Sequence, residues 1–281
     1  MSERDAGDVP RVSAVISVVD PHPVYFREAV ESILGQTERS LELVIIEEPS
    51  GRRASDTLKA IGDPRIRHFE HPVRTSLVDQ RERGLEKARS EIVALLDADD
   101  ICVPDRFEKQ IAFLDTHPEV SVLGSQLEII DPAGHHLGYR RYPCQHEAIL
   151  RALPLYDPIA QPAVMLRKSA VLEAGGYLYR RHKYTEDYEL WSRMAKRGYR
   201  LANHPEALLR YRVHPAGAKA SSLRSILNGT IDIKRMHWAR ELGVRGRARI
   251  LLERLLLRAP PTLVLRLFLA LQLRRRAPRS P

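Results

Sequence analysis

The chain has 281 residues, 43% of them hydrophobic and 29% charged, a composition ordinary for a soluble globular protein with one large α/β unit or two closely packed subdomains. Cys102 and Cys144 are too few for a disulfide framework, and the polar start MSERDAGDVP lacks an apolar signal core, so a reducing cytoplasm is the expected setting. The formal charge of +9 is unevenly spread: residues 234–281 hold 13 Lys and Arg against Glu241 and Glu253, net +11, and the rest is net −2, which argues against nucleic acid as the working partner.

Residues 12–19 (VSAVISVV) are an apolar, β-branched run, the pattern of a strand covered on both faces. Residues 23–37 carry Val24, Ala29, Val30, Ile33 and Leu34 at helical spacing, and 41–46 (LELVII) read as a second strand. A short edge strand is predicted at 65–69, a helix at 77–89 and a fourth strand at 91–96 (EIVALL). This alternation predicts an α/β fold with a doubly wound, mostly parallel central sheet and helices on both faces. Ligands of such sheets sit beyond the carboxyl ends of the strands. Two strands here end in acidic residues, Glu47-Glu48 and Asp97-Ala98-Asp99-Asp100.

Further along, residues 104–116 read as a helix with Pro104 in its first turn, and 120–143 as two strands joined by a turn at Asp131-Pro132-Ala133-Gly134. A short strand at 163–166 and a short helix at 168–174, closed by Gly175-Gly176, follow. A helix at 185–197 opens with Glu186 and Asp187, and a last strand at 206–213 leads into His214-Pro215. Beyond Ser221 the sequence turns Arg-rich and helical.

Three carboxylates at the mouth of a buried strand repel one another and call for a cation or basic partners. Alternation along extended chain turns Asp97 and Asp99 to the same side. Mg²⁺ or Mn²⁺, with diphosphate oxygens completing the coordination, suits that cluster; so does an Asp-rich cap on the helix that follows. The tetrad alone leaves both open.

Its surroundings are more specific. VSAVISVV, ESILGQT at 31–37, LELVIIEEPS at 41–50, RERGLEKARSEIVALLDADDICVPDR at 81–106, AQPAVMLRKSAVLEAGGY at 160–177, TEDYELWSRMAKRGY at 185–199 and YRVHP at 211–215 occur in one order and spacing. From about Val12 to about Gly217 the chain resembles the family-2 glycosyltransferases of the GT-A fold. The resemblance implies a nucleotide-binding half over 1–100, an acceptor-binding half over 101–220 and a basic amphipathic tail over 221–281. It implies an inverting, single-displacement transfer from a nucleotide-diphosphate sugar, a UDP-sugar, to a glycan or lipid-linked acceptor in cell-surface polysaccharide assembly.

By the same resemblance Asp99 holds the metal, Mn²⁺ or Mg²⁺, Asp97 supports it at the ribose and diphosphate, and Asp100 caps the next helix. Asp187 is the catalytic base, with Glu186 beside it; Trp191, one helical turn on, either lines the acceptor pocket or packs in the core. His214 helps hold metal or diphosphate. Glu48 stands where the family recognises the donor base, but in a Glu-Glu pair rather than Asp-Asp. Arg81 stands near the donor phosphates, with Glu82 where the family has Asn. These two departures leave open an inactive, sugar-nucleotide-binding scaffold. A nucleotidyltransferase or dehydrogenase would need a Gly-rich phosphate loop after the first strand, and Ser17–Pro23 contains no glycine.

In the tail, 245–258 (RGRARILLERLLLR) sets leucines between arginines, and 262–273 (TLVLRLFLALQL) is apolar except at Thr262, Arg266 and Gln272. Twelve helical residues reach only ~18 Å, against a hydrocarbon core of ~30 Å, and Pro260-Pro261 breaks continuity. The expected role is an interfacial helix on an anionic membrane surface, or packing on protein.

Overall fold

The computed structural model describes residues 9–181, 184–214 and 219–257. In chain order the elements are β1 (Val12–Val18), α1 (Pro23–Leu34), β2 (Leu41–Glu47), α2 (Ala54–Ile61), β3 (Ile66–Glu70), α3 (Leu77–Lys87), β4 (Ile92–Leu96) and β5 (Ile101–Cys102). They continue with α4 (Arg106–Thr116), β6 (Val120–Ile130), β7 (His136–Arg140), α5 (His146–Ala152), β8 (Met165–Arg167) and α6 (Lys168–Glu173). Last come α7 (Glu186–Lys196), β9 (Arg200–Arg212), α8 (Lys219–Trp238) and α9 (Val244–Leu256).

The strands join in one sheet of order β3-β2-β1-β4-β8-β6-β9-β5, with β7 paired to β6. β3, β2, β1 and β4 are parallel, as is the long β6–β9 register; the shorter pairings of β8, β7 and β5 are antiparallel. The expected doubly wound, mostly parallel sheet is therefore present, with β3 at its edge. Alternation along β1 sends Ala14, Ile16 and Val18 into one hydrophobic core and Val15 into the other, so the sheet is covered on both faces. α3 crosses β1 closely because residue 84 is glycine: a Cβ there would come 2.4 Å from Val15 Cγ1. That approach brings Arg81 over the carboxyl end of the sheet.

Several expectations need correction. α2, β5 and α5 were not expected: α2 and α5 are short and mixed in polarity, and β5 is only two residues long. β9 begins at Arg200, not 206, its first half hidden by the polar stretch Asn203-His204-Pro205-Glu206, where its register with β6 shifts. Pro104 precedes α4 rather than sitting in its first turn, and Asp105 is the N-cap.

The first part of the expected tail belongs to the folded body. The Trp238 indole N–H of α8 donates to Ser192 Oγ of α7 at 3.0 Å, His237 meets Glu189 at 3.0 Å, and Ile233 and Trp238 are buried. α9 docks on α8 through Ile231, Leu242 and Ile250 and through a Lys234–Glu253 ion pair at 2.6 Å. Burial pulls the Lys234 ammonium down to about 8. The apolar segment 262–273 lies outside the described residues, among which no helix is long and apolar enough to cross a membrane.

Candidate active site

At the carboxyl end of β4, Asp99 meets His214, which follows β9: Oδ2 and Nε2 are 2.9 Å apart across 115 residues of sequence. A buried lock holds these two chain ends together. The Arg212 backbone N–H donates to Asp100 Oδ1 at 2.9 Å and Arg212 Nε to the Asp99 carbonyl at 2.9 Å. The same guanidinium donates to the Pro132 carbonyl at 2.8 Å and Glu28 at 2.5 Å, and lies 4.3 Å from the Tyr25 ring centre. Tyr25 in turn packs 5.6 Å from the His214 ring. Asp100 thus fastens β9 to the β4 loop instead of capping a helix, which corrects the expectation.

Asp99 and His214 both remain partly exposed. A carboxylate oxygen and an imidazole nitrogen side by side fit a divalent ion of intermediate hardness, Mn²⁺ better than Mg²⁺. A second group able to converge on an ion, Glu47, His68 and Glu70, lies at the β2–β3 edge. There Arg53 already pairs with both carboxylates, at 2.9 Å from Glu47 and 2.5 Å from Glu70, and supplies the positive charge.

The acceptor-side group is built around Arg81. Its guanidinium pairs with Glu186 and donates to Gln161 Oε1 at 2.5 Å, all three being buried, and lies 5.7 Å from the Tyr177 ring. Arg81 also feels the charges of Asp187 and Asp97, so it stands electrostatically between the two carboxylate groups. In the structure Arg81 is bonded to Glu186 and Gln161, and Glu186 is the counter-charge of Arg81.

Asp187, one residue on, is partly buried and accepts the Tyr188 N–H at 2.8 Å. Burial, then the repulsion of Glu186, pushes its carboxyl up to about 7, with Arg81 opposing. A carboxylate with that affinity for a proton suits a general base at neutral pH.

Glu48 is buried and already bonded: it accepts the Thr75 N–H at 3.0 Å and the Thr75 hydroxyl, with Arg83 at 3.4 Å. These contacts tie Thr75, ahead of α3, to the end of β2. Glu82 accepts the Tyr177 N–H and fills the space where residue 176 could carry no side chain, since a Cβ would come 2.5 Å from its carboxylate. Both departures from the family pattern therefore have structural work in this chain. Trp191 is fully enclosed in the core, so it supports α7 from behind instead of lining an open pocket. Sequence reasoning missed Arg212 and Gln161, although both stand inside motifs quoted above. A cavity of about 580 Å³ at the junction of α5, α7 and the α8–α9 turn is lined by Leu150, Leu155, Trp238 and Leu242, and none of these carboxylates reaches it.

Comparison with known proteins identifies the family and the fold. The profile described as Glycosyl transferase family 2 matches residues 13–176. An uncharacterized glycosyltransferase of Haemophilus influenzae is 30% identical over 81% of this chain and 84% of its own length. The amylovoran biosynthesis glycosyltransferase AmsE of Erwinia amylovora is 31% identical over 71% and 75%. Among solved structures, the mannosyltransferase PcManGT of Pyrobaculum calidifontis, in complex with GDP-Man and Mn²⁺, superposes with TM-score 0.62 at 16% identity over 93% of this chain and 80% of its own. S. aureus TarS 1–349 with UDP-GlcNAc gives 0.62 at 13% over 86% and 79%. These likenesses establish the GT-A fold, and the sequence matches establish the family: the chain belongs to glycosyl transferase family 2 and is a sugar transferase.

Proposed function

We propose that the protein is a metal-assisted, inverting glycosyltransferase that moves a sugar from a nucleoside-diphosphate donor, a UDP-sugar, to a glycan or lipid-linked acceptor in cell-surface polysaccharide assembly. The observation that carries this reading is the meeting of Asp99 and His214 at the end of β4, with Arg81 within electrostatic reach of both Asp97 in the same tetrad and Asp187 on α7. Residues 1–100 form the donor half and 101–220 the acceptor half. Asp99 and His214 hold the ion, with Asp97 beside them; a bound Mn²⁺ or Mg²⁺ offsets charge on the leaving diphosphate. Asp187 receives the proton of the attacking hydroxyl. Arg81 and Glu186 fix the start of α7, and so fix where Asp187 stands. Support for the setting comes from AmsE, whose name assigns it to amylovoran biosynthesis, and for the donor from TarS and PcManGT, solved with UDP-GlcNAc and GDP-Man.

The test is a panel of UDP-glucose, UDP-galactose, UDP-GlcNAc and GDP-mannose with Mn²⁺, scored by nucleotide release. One donor is expected to turn over, and excess EDTA to stop it. Full turnover in EDTA would overturn the metal reading.

The C-terminal region is proposed to rest on an anionic membrane surface. In support, α9 turns Val244, Leu251, Leu252 and Leu255 to solvent, and its sequence carries Arg247, Arg249 and Arg254. Because α8 is part of the core, the sound comparison is between the full chain and its Leu251→Glu/Leu255→Glu variant. Co-sedimentation with phosphatidylserine vesicles at low salt is expected to fall at least about tenfold, as two apolar contacts are replaced by charges that the surface repels. Equal binding by both would remove the anchor.

A further inference from the structure

The start of α1 reaches the Asp99–His214 pair through His22, Tyr25 and Glu28. His22 is the N-cap of α1, a position where Ser, Thr, Asp or Asn usually accepts a backbone N–H, yet its side chain makes no cap hydrogen bond. Its ring instead stacks on Tyr25, with centres 4.0 Å apart and planes 21° from parallel. Pro23 at the first helical position presets the entry to the helix, and the residue before a proline is held extended, as His22 is. Just upstream, Asp20 takes a left-handed backbone with φ 52°, rare for a residue with a side chain. Its N–H donates to Ser50 Oγ at 2.9 Å and its carboxylate accepts from the Arg52 guanidinium at 2.8 Å, so the turn into α1 is held from the β2 side.

The Arg212 guanidinium lies 4.3 Å from the same Tyr25 ring centre. Two flat groups this near one ring centre have room only on opposite faces, so Tyr25 is held between imidazole and guanidinium, the cation attracted by the ring quadrupole. Glu28, one turn along α1, pairs with Arg212 at 2.5 Å across 184 residues of sequence. With both faces of Tyr25 taken, His214 packs against its edge, at 5.6 Å between ring centres and tilted by 45°.

An imidazole that binds a metal ion through one nitrogen is normally held in orientation by a hydrogen bond at the other. His214 turns Nε2 to Asp99, and among the described residues no group bonds its Nδ1. The Tyr25 ring orients it by contact instead.

We propose that Tyr25 is a positioning residue of the metal site: clamped between His22 and Arg212, its ring sets the His214 imidazole against Asp99 in the orientation that binds a divalent ion. The inference rests on the reading of Asp99 and His214 as metal ligands. The lock on β9 brings the backbone of residue 212 to the tetrad, and Tyr25 orients the ring two residues on. Placing the imidazole therefore takes α1 as well as β9.

The test is direct binding of Mn²⁺ to the full chain without nucleotide, read as loss of the free-ion signal in electron paramagnetic resonance, with a thermal melt of each variant. Tyr25→Leu is expected to weaken Mn²⁺ binding by about tenfold, the usual loss when the support of a ligating imidazole is removed, and to melt within a few degrees of the parent. Tyr25→Phe keeps the ring and is expected to bind within about twofold of the parent. Unchanged affinity in Tyr25→Leu, with weakened affinity in His214→Ala, overturns the positioning role and leaves the metal reading standing. Binding by Tyr25→Phe as weak as by Tyr25→Leu also overturns it, because the ring would not be what acts. Unchanged affinity in His214→Ala removes the metal reading and the inference with it. Should Tyr25→Leu fail to fold, His22→Ala decides, since His22 is exposed. Binding weakened by about threefold or more upholds the clamp, and unchanged binding overturns it.

Discussion

Replacing Asp99 with Asn should lower donor turnover by about 10²–10³-fold at any practical Mn²⁺ concentration, the usual loss when a group aimed at developing charge is removed. The fold should survive. Asp99 is partly exposed, and its side-chain contact in the structure is His214 at 2.9 Å; the lock to Arg212 uses its backbone carbonyl, which Asn keeps. His214→Ala should be milder and should raise the Mn²⁺ concentration needed for half-maximal rate. Turnover titrated with Mn²⁺, alongside thermal melts, separates these outcomes. Wild-type turnover with an unchanged metal requirement in Asp99→Asn would place the ion elsewhere.

Asp187→Asn should reduce transfer by about 10²–10⁴-fold, the usual contribution of a positioned base, and leave nucleotide affinity within a few-fold by calorimetry. The same variant should melt at a higher temperature than the parent at alkaline pH. The folded protein holds the Asp187 proton more tightly than the unfolded chain does, so this group adds stability at pH below the ordinary carboxylate range. That contribution is lost as pH rises through about 7. Asn carries no charge to be penalised, so the gain should vanish in acid. If nucleotide binding disappeared together with transfer, Asp187 would belong to the donor site instead of the acceptor side.

The elements read most clearly from sequence are those whose hydrophobic period matches their surroundings. β1, β2 and β4 are covered on both faces, so their uninterrupted Val, Ile and Leu runs announce them. β9 does not announce its first half, because Pro205 and its polar neighbours interrupt the run where the strand bulges. That Asp99 and His214 would come together was legible because each sits at the end of a strand within a recognisable motif. The partners of Arg81, Glu186 and Glu48 were not, since a buried charge is satisfied by whichever opposite group the fold delivers. For Arg81 that group comes from 105 residues away. Local sequence cannot tell such a residue from one kept free for a phosphate.

The tie between Asp100 and Arg212 has a consequence for how the protein is made. Synthesis proceeds from the N-terminus, and β1 to β4 emerge with their parallel pairings and all three carboxylates of the tetrad long before β9 exists. The imidazole that meets Asp99 arrives 115 residues later, and only once β9 has slotted between β6 and β5 does the Arg212 lock close around it. Such distant pairings form late, because the chain entropy of closing the loop has to be overcome first. A nascent or interrupted chain therefore has acidic residues at the end of β4 without the imidazole and the guanidinium that meet them in the finished fold. The grouping at the end of β4 is completed by the last strand of the sheet.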